Sequence, residues 1–484
     1  MDSERGITTH KRIERPIILD EEWIKEVCEG KGFFDWNQEA IKIGESVGEP
    51  TLDRLRHLQI RDESLRDGLG PCNNQPNFTD KLSYIQAVSD LGIEFVTLDI
   101  FSSNDSQNLS KNNKDTQALL IFMQQRLPRI KPVILARATP LDIEFLIKAH
   151  EMNPNLVGII FQDLSEVRRR IQGWGTFEDV LGNLFRKVQE AKSAGISVMA
   201  FTENLSITDP DHVKLYTQAM CEAGADFIGI ADTAGRLYPG GAAYLTRVVS
   251  ETIERYRAEA GEERDIKIVF HGHDDLGNAL NNSLAAAANG ASVIDVVTNG
   301  IGERVGNTSL NLFLANVETR LKIIDGKRQN QVVRFDLRKL KSLSQMYERI
   351  TGLAAGTYQA VSGERAFATN LGIHADFYLA VENWAAQMGD KGYTSEQIGI
   401  FCGEVWKLYS AISPGAVDQK PDIRISSLSG AANVILWLYY HGLINNVRQL
   451  PKDSPAVLEI LQVAKTGWGE LSDKLIRQIW ENHD

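Results

Sequence analysis

The sequence predicts an α/β protein, a (β/α)8 barrel of the TIM type followed by a mainly helical C-terminal region. Eight short β-branched runs each precede an amphipathic stretch, polar residues gather just past the ends of those runs, and the alternation stops near residue 330. An open doubly wound sheet is the other fold that such alternation allows. At 484 residues the chain exceeds the roughly 250–300 residues at which single cores stop growing, so more than one unit is expected.

Residues 1–55 read as a charge-rich appendage, with the aromatic cluster FFDWN at 33–37. The barrel is expected over 56–330 and helical subdomains over 331–484. The strand runs are HLQIRD (57–62), FVTLDIF (95–101), PVILAR (132–137), LVGIIFQ (156–162), VMAFTE (198–203), FIGIAD (227–232), IKIVFHGH (266–273) and SVIDVVT (292–298). Between them apolar residues recur at helical spacing in 81–91, 140–152, 178–195 and 212–224, the last two closing on the Gly that often follows a helix end. Beyond the barrel, 339–353, 382–388 and 457–465 also read as helices.

Composition narrows the function classes. With 43% hydrophobic and 24% charged residues the chain is an ordinary globular one, and a formal charge of −12 disfavours nucleic acid as a partner. Four scattered cysteines without a CxxC pair fit a reducing compartment, and the charged N-terminus lacks an apolar signal core, so a cytoplasmic location is expected. The apolar stretch AANVILWLYYHGLI (431–444) is shorter than the roughly 20 residues of a membrane span and reads as a buried helix.

In a barrel of this kind the loops leaving the C-terminal strand ends converge on one mouth. HGHDDLGNA (271–279) leaves the seventh strand, and residues i and i+2 of an extended chain share a face, so His271 and His273 point the same way. Two such histidines with carboxylates nearby make a ligand pattern for a divalent metal. RDESLRDG (61–68) brings Asp62, Glu63, Arg66 and Asp67 to the same mouth, and buried charges this dense require partners or an ion. NGIGERVGNTSL (299–310) adds a Gly-rich loop with Glu303, Arg304 and Asn307.

DESLRDG, HGHDDLGNA and GIGERVGN, in this order, resemble the motifs of the DRE-TIM metallolyases, the superfamily of 2-isopropylmalate synthase, homocitrate synthase and HMG-CoA lyase. The resemblance implies Asp67, His271, His273 and Asn307 as metal ligands and Arg66 as the cation beside the reacting carbonyl. It places Glu203 of TENLSITDP next to the metal and Thr233 of ADTAG at a substrate carboxylate, whereas read alone these are a helix N-terminal charge and a turn residue. The second strand of the family usually ends in Glu, and the resemblance implies that Asp99, which stands there in this sequence, lines the acceptor pocket. VSGERAFATNLGIHAD (361–376) resembles the C-terminal motif of the Claisen-type synthases, which makes His374 a catalytic residue reaching a neighbouring subunit and Tyr393 its partner, in a homodimer.

The implied reaction joins acetyl-CoA to a 2-oxo acid with a divalent ion, Mg, Mn, Zn or Co, as cofactor. Departures fall where the family's acceptor pocket lies: Gly70 replaces the usual Gln, and the fourth strand exit reads FQDLSEVRRR. The Arg168–Arg170 run is either a solvated helix face or a binder of anionic groups. A lyase is disfavoured because 299–307 holds no cysteine, and a non-catalytic paralogue is disfavoured by the retained ligand set.

Overall fold

The computed structural model describes residues 19–29, 39, 50–72, 74, 76–100, 111–325 and 334–483. Within these, the chain forms two compact units, one inside 35–366 together with 417–419, the other inside 1–34, 367–416 and 420–484. The FFDWN cluster lies outside the described residues.

The first unit is a closed, eight-stranded parallel barrel. Its strands are β1 (Gln59–Asp62), β2 (Phe95–Ile100), β3 (Lys131–Arg137), β4 (Val157–Phe161), β5 (Ser197–Thr202), β6 (Phe227–Asp232), β7 (Lys267–Gly272) and β8 (Ala291–Val296). Closure comes from β1 pairing with β8, with Arg61 opposite Asp295. Around it run α1 (Phe78–Leu91), α2 (Lys111–Arg126), α3 (Pro140–Met152), α4 (Phe177–Ser193), α5 (Pro210–Glu222), α6 (Pro239–Ala260), α7 (Ala279–Ala288) and α8 (Leu310–Asp325).

Local chemistry sets these helix ends. Asn77 with Asp80 and Thr176 with Asp179 form capping boxes that satisfy backbone N–H groups at the starts of α1 and α4. Thr139 and Asp209 cap α3 and α5, each followed by a proline whose fixed φ suits the first turn. The expected Gly195 and Gly224 follow α4 and α5 with φ of 85° and 93°, a region costly for other residues.

Alternate residues of each strand point inward, and the barrel interior is filled by Phe95, Val133, Ile159, Met199, Phe201, Val269 and Val293. Burying each such side chain contributes roughly 1.5–3 kcal/mol. This floor is packed solid, so chemistry is confined to the mouth above it. A further helix, α9 (Leu340–Thr351), belongs to the same unit and sends the Tyr347 hydroxyl to the Ser64 carbonyl at 3.0 Å.

The second unit is mainly helical, with α10 (Gly372–Asp390), α11 (Ser395–Val405), α12 (Ala431–Tyr440), α13 (Pro455–Thr466) and α14 (Asp473–Glu481). The short strands Ala368–Thr369 and Asp422–Ile423 pair in parallel. The helix Glu21–Cys28 belongs here too: its Ile24 and Val27 enter the helical core, and Trp23 meets the edges of Trp384 and Phe401 at 5.4 and 5.8 Å. The apolar stretch at 431–444 is the buried helix expected of it, with Ala432 to Leu438 inside α12. Among the described residues no helix is long and apolar enough to cross a membrane.

Candidate metal centre at the barrel mouth

Period-2 geometry delivers the two histidines as a pair. His271 sits at the C-terminal end of β7 and His273 just past it, with their Nε2 atoms 3.3 Å apart. Asp67, on the tight turn after β1, places Oδ2 3.6 Å from His271 Nε2 and 3.8 Å from His273 Nε2. The three ligand-type atoms all lie within 4.8 Å of one another.

Asn307 joins from the loop after β8. Its backbone bridges to His273, its Nδ2 donates to Asp67 Oδ2 at 3.0 Å, and its Oδ1 is buried with no hydrogen-bond partner. Two imidazoles and a carboxylate, with the Asn307 amide packed beside them, are a mixed nitrogen and oxygen donor set of the kind divalent ions take, so these residues fit a metal.

The electrostatics agree with that fit. Burial alone would raise the Asp67 carboxyl, but Arg66, His271 and His273 outweigh it and hold it below the ordinary range. Burial and the neighbouring His271 push His273 down to about 4, leaving a neutral imidazole with a free lone pair.

Arg66 lies beside the cluster. Its Nε and Nη2 each stand 2.8 Å from Glu63 Oε2, and Nη2 is 3.5 Å from Asp67 Oδ2. Glu203, just past β5, pairs with Arg168, and burial raises its carboxyl more than Arg168 lowers it. The Thr233 hydroxyl accepts the Asn204 N–H at 2.9 Å, while its carbonyl accepts from Arg304, which also grips Asp275 through two bonds of 2.7 Å. Asp99 belongs to β2 by its backbone, and its side chain lies outside the described residues.

Two expectations change. Asp62 does not face the mouth: strand alternation turns it toward α1, where it accepts from the Tyr84 hydroxyl at 2.9 Å and from Ser64. Nor is Arg168–Arg170 a uniform solvated face. Arg169 is buried and donates to the Leu164 and Gly175 carbonyls, Arg168 turns to Glu203 and Asp163, and Arg170 alone makes an exposed pair, with Glu166.

In the helical unit, His374 lies in the first turn of α10 with its ring stacked on Tyr409, centroids 4.0 Å apart. Tyr393 packs against the helical core. Tyr409 is thus the ring that meets His374, and no sequence spacing singled it out. Asp295 and Arg61 were missed as well. Asp295 Oδ2 is 3.1 Å from His271 Nδ1, and Arg61 holds Asp295 by two bonds. The available signal was a lone acid inside the β-branched run SVIDVVT.

Fold and site together define a (β/α)8-barrel protein whose mouth carries a two-histidine, one-aspartate cluster able to hold a divalent ion. The chain belongs to the HMGL-like family, whose family model matches residues 57–346, and so to the DRE-TIM metallolyase superfamily. Its curated relatives include a 2-isopropylmalate synthase of Methylacidiphilum infernorum, 30% identical over 334 residues that cover 68% of this chain and 61% of the relative. A homocitrate synthase of Saccharolobus islandicus is 32% identical over 239 residues, 49% of this chain and 47% of the relative. The match therefore spans less than two thirds of the length of either relative. A solved HMG-CoA lyase from Pseudomonas aeruginosa has a TM-score of 0.50 at 19% identity, covering 64% of this chain and 96% of that one, a likeness of fold.

Proposed function

We propose that the chain catalyses a divalent-metal-dependent Claisen-type condensation of acetyl-CoA with a 2-oxo acid, releasing CoA and a 2-hydroxy-2-alkyl dicarboxylic acid. The observation that carries this reading is the convergence of Asp67, His271 and His273 beside Arg66. The synthase relatives support the direction of the chemistry.

In this reading Asp67, His271, His273 and Asn307 hold the ion, which when bound supplies Lewis-acid polarisation of a ketone. Arg66, steadied by Glu63, offers its N–H groups to the ketone oxygen as negative charge grows there. Thr233 orients the acceptor carboxylate, and Asp99 lines the acceptor pocket. The methyl carbon of the thioester must lose a proton before it can attack, which is general-base work for Glu203 or for His374 with Tyr393. The new bond joins that carbon to the ketone carbon, and the alkoxide takes up a proton. Water then cleaves the thioester, its hydroxyl going to the acyl carbon and its proton to the CoA sulfur. The reading includes a homodimer, with His374 and Tyr393 supplied to each barrel by the neighbouring copy.

The test is a set of 2-oxo acids offered with acetyl-CoA and divalent metal, with free CoA thiol as the readout. Thiol release that requires both a 2-oxo acid and the metal is expected. No release with any 2-oxo acid, or release indifferent to the acceptor, contradicts the reading.

A further inference from the structure

We infer that Arg61 and Asp295 are positioning residues: a row of alternating charges, the half-buried Arg66 followed by the fully buried Glu63, Arg61 and Asp295, ends on His271 and fixes the imidazole for its metal. The inference rests on the metal reading above and deepens it.

The row begins in strand register. Arg61 and Asp295 are opposite each other on β1 and β8, so their side chains emerge on the same inner face. Arg61 Nε donates to Asp295 Oδ1 at 2.7 Å while Nη2 binds Oδ2, and the same Nε is 3.1 Å from Glu63 Oε1. Glu63 is shared: Oε1 also accepts the Thr97 hydroxyl at 2.7 Å, and Oε2 takes Arg66. At the other end Asp295 Oδ2 meets His271 Nδ1 at 3.1 Å.

Arg61, Glu63 and Asp295 have side chains no more than 2% exposed, above the apolar cluster that fills the barrel interior. Buried ion pairs of this kind are weak contributors to stability, because desolvation offsets their attraction, and apolar residues of similar volume often serve as well. What the charges provide here is direction. A carboxylate can only accept, so Asp295 fixes the proton of His271 on Nδ1 and leaves the Nε2 lone pair facing His273 and Asp67. Arg61 in turn stops the Asp295 carboxylate from rotating, and is itself confined by the Met199 sulfur at 3.4 Å and the Phe201 ring at 5.1 Å. These two residues act through others and touch no reacting atom.

Cobalt(II) binding, measured by equilibrium dialysis and by the visible absorption of the bound ion, tests the inference without an activity assay. Asp295→Asn keeps the shape but turns an acceptor into a donor or a weaker acceptor, and should raise the Kd for cobalt roughly 10–100-fold with a changed absorption band. Arg61→Gln should weaken cobalt binding in the wild-type background and add less than about twofold in the Asp295→Asn background, since its effect passes through Asp295. The paired Arg61→Gln/Asp295→Asn variant leaves no unpaired charge between β1 and β8, which keeps the measurement open if either single variant fails to fold. Cobalt affinity and spectrum unchanged in Asp295→Asn or in the paired variant, while His271→Ala loses binding, would overturn the inference and leave the metal reading standing. If His271→Ala itself binds cobalt as the wild type does, the metal reading fails and the inference with it.

Discussion

Arg66 is held by Glu63 through two bonds to one oxygen and leans on Asp67, a fixed fork beside the ligand cluster. Lysine offers a single point of charge and cannot reproduce that fork. Arg66→Lys is therefore expected to leave metal binding within a few-fold of wild type and to lower kcat by roughly 10²-fold; kcat that stays level would remove Arg66 from the chemistry. Behind the barrel, burial pushes the Asp62 carboxyl up to about 7 from an ordinary 3.8 despite its bonds from Tyr84 and Ser64. The folded chain then holds the Asp62 proton more tightly than the unfolded one, so this residue's stabilising share is complete below the unfolded value and is lost as pH rises through about 7. Denaturant unfolding of wild type minus Asp62→Asn should fall with pH over that window, by at most roughly 1.4 kcal/mol per pH unit. A flat difference would mean that Asp62 is ionised throughout. At this scale the sequence was readable where chemistry depends on near neighbours: His271 and His273 are two residues apart, and Arg66 and Asp67 are adjacent. Arg61 and Asp295 are 234 positions apart, and only the closing of the barrel makes them a pair.

Among the elements, the loop after β8 does the most demanding work, because it must bring Asn307 to the histidines while doubling back on itself. Gly306 has φ of 94°, and a Cβ placed there would stand 1.8 Å from the Gly300 carbonyl oxygen. Gly306→Ala should cost on the order of 1–3 kcal/mol and weaken metal binding, since Asn307 moves with the loop. Gly240→Ala, in the first turn of α6 with open space around it, should stay within about 0.5 kcal/mol of wild type. Equal behaviour of the two variants in thermal melts and metal titrations would contradict the role given to the loop. Most barrel strands were legible because they are β-branched runs bounded by turn residues, whereas β1, with Ile60 as its one β-branched residue, was read from its place in the alternation. Helix α10 was legible only in part, over 382–388, although it spans Gly372–Asp390. It starts after Leu371 with no side-chain cap, so the ordinary start signal is missing.

For the whole molecule, alternation of strands and helices carried the barrel, since local period and strand count suffice for that topology. The helical unit was less readable. Glu21–Cys28 joins residues more than 350 positions later through Trp23, Trp384 and Phe401, and no periodicity links such distant segments. A ligand that binds only the folded barrel must stabilise it, by about 2.7 kcal/mol at a hundredfold excess over Kd. Addition of divalent metal should thus raise the unfolding temperature of the wild type and leave that of His271→Ala unmoved. The most direct test of the metal centre is metal content after equilibrium dialysis, compared for wild type, His271→Ala and His273→Ala, with circular dichroism to verify the fold. A metal centre built on both histidines requires stoichiometric metal on the wild type and its loss from both folded variants. Stoichiometric metal retained by either variant would contradict it.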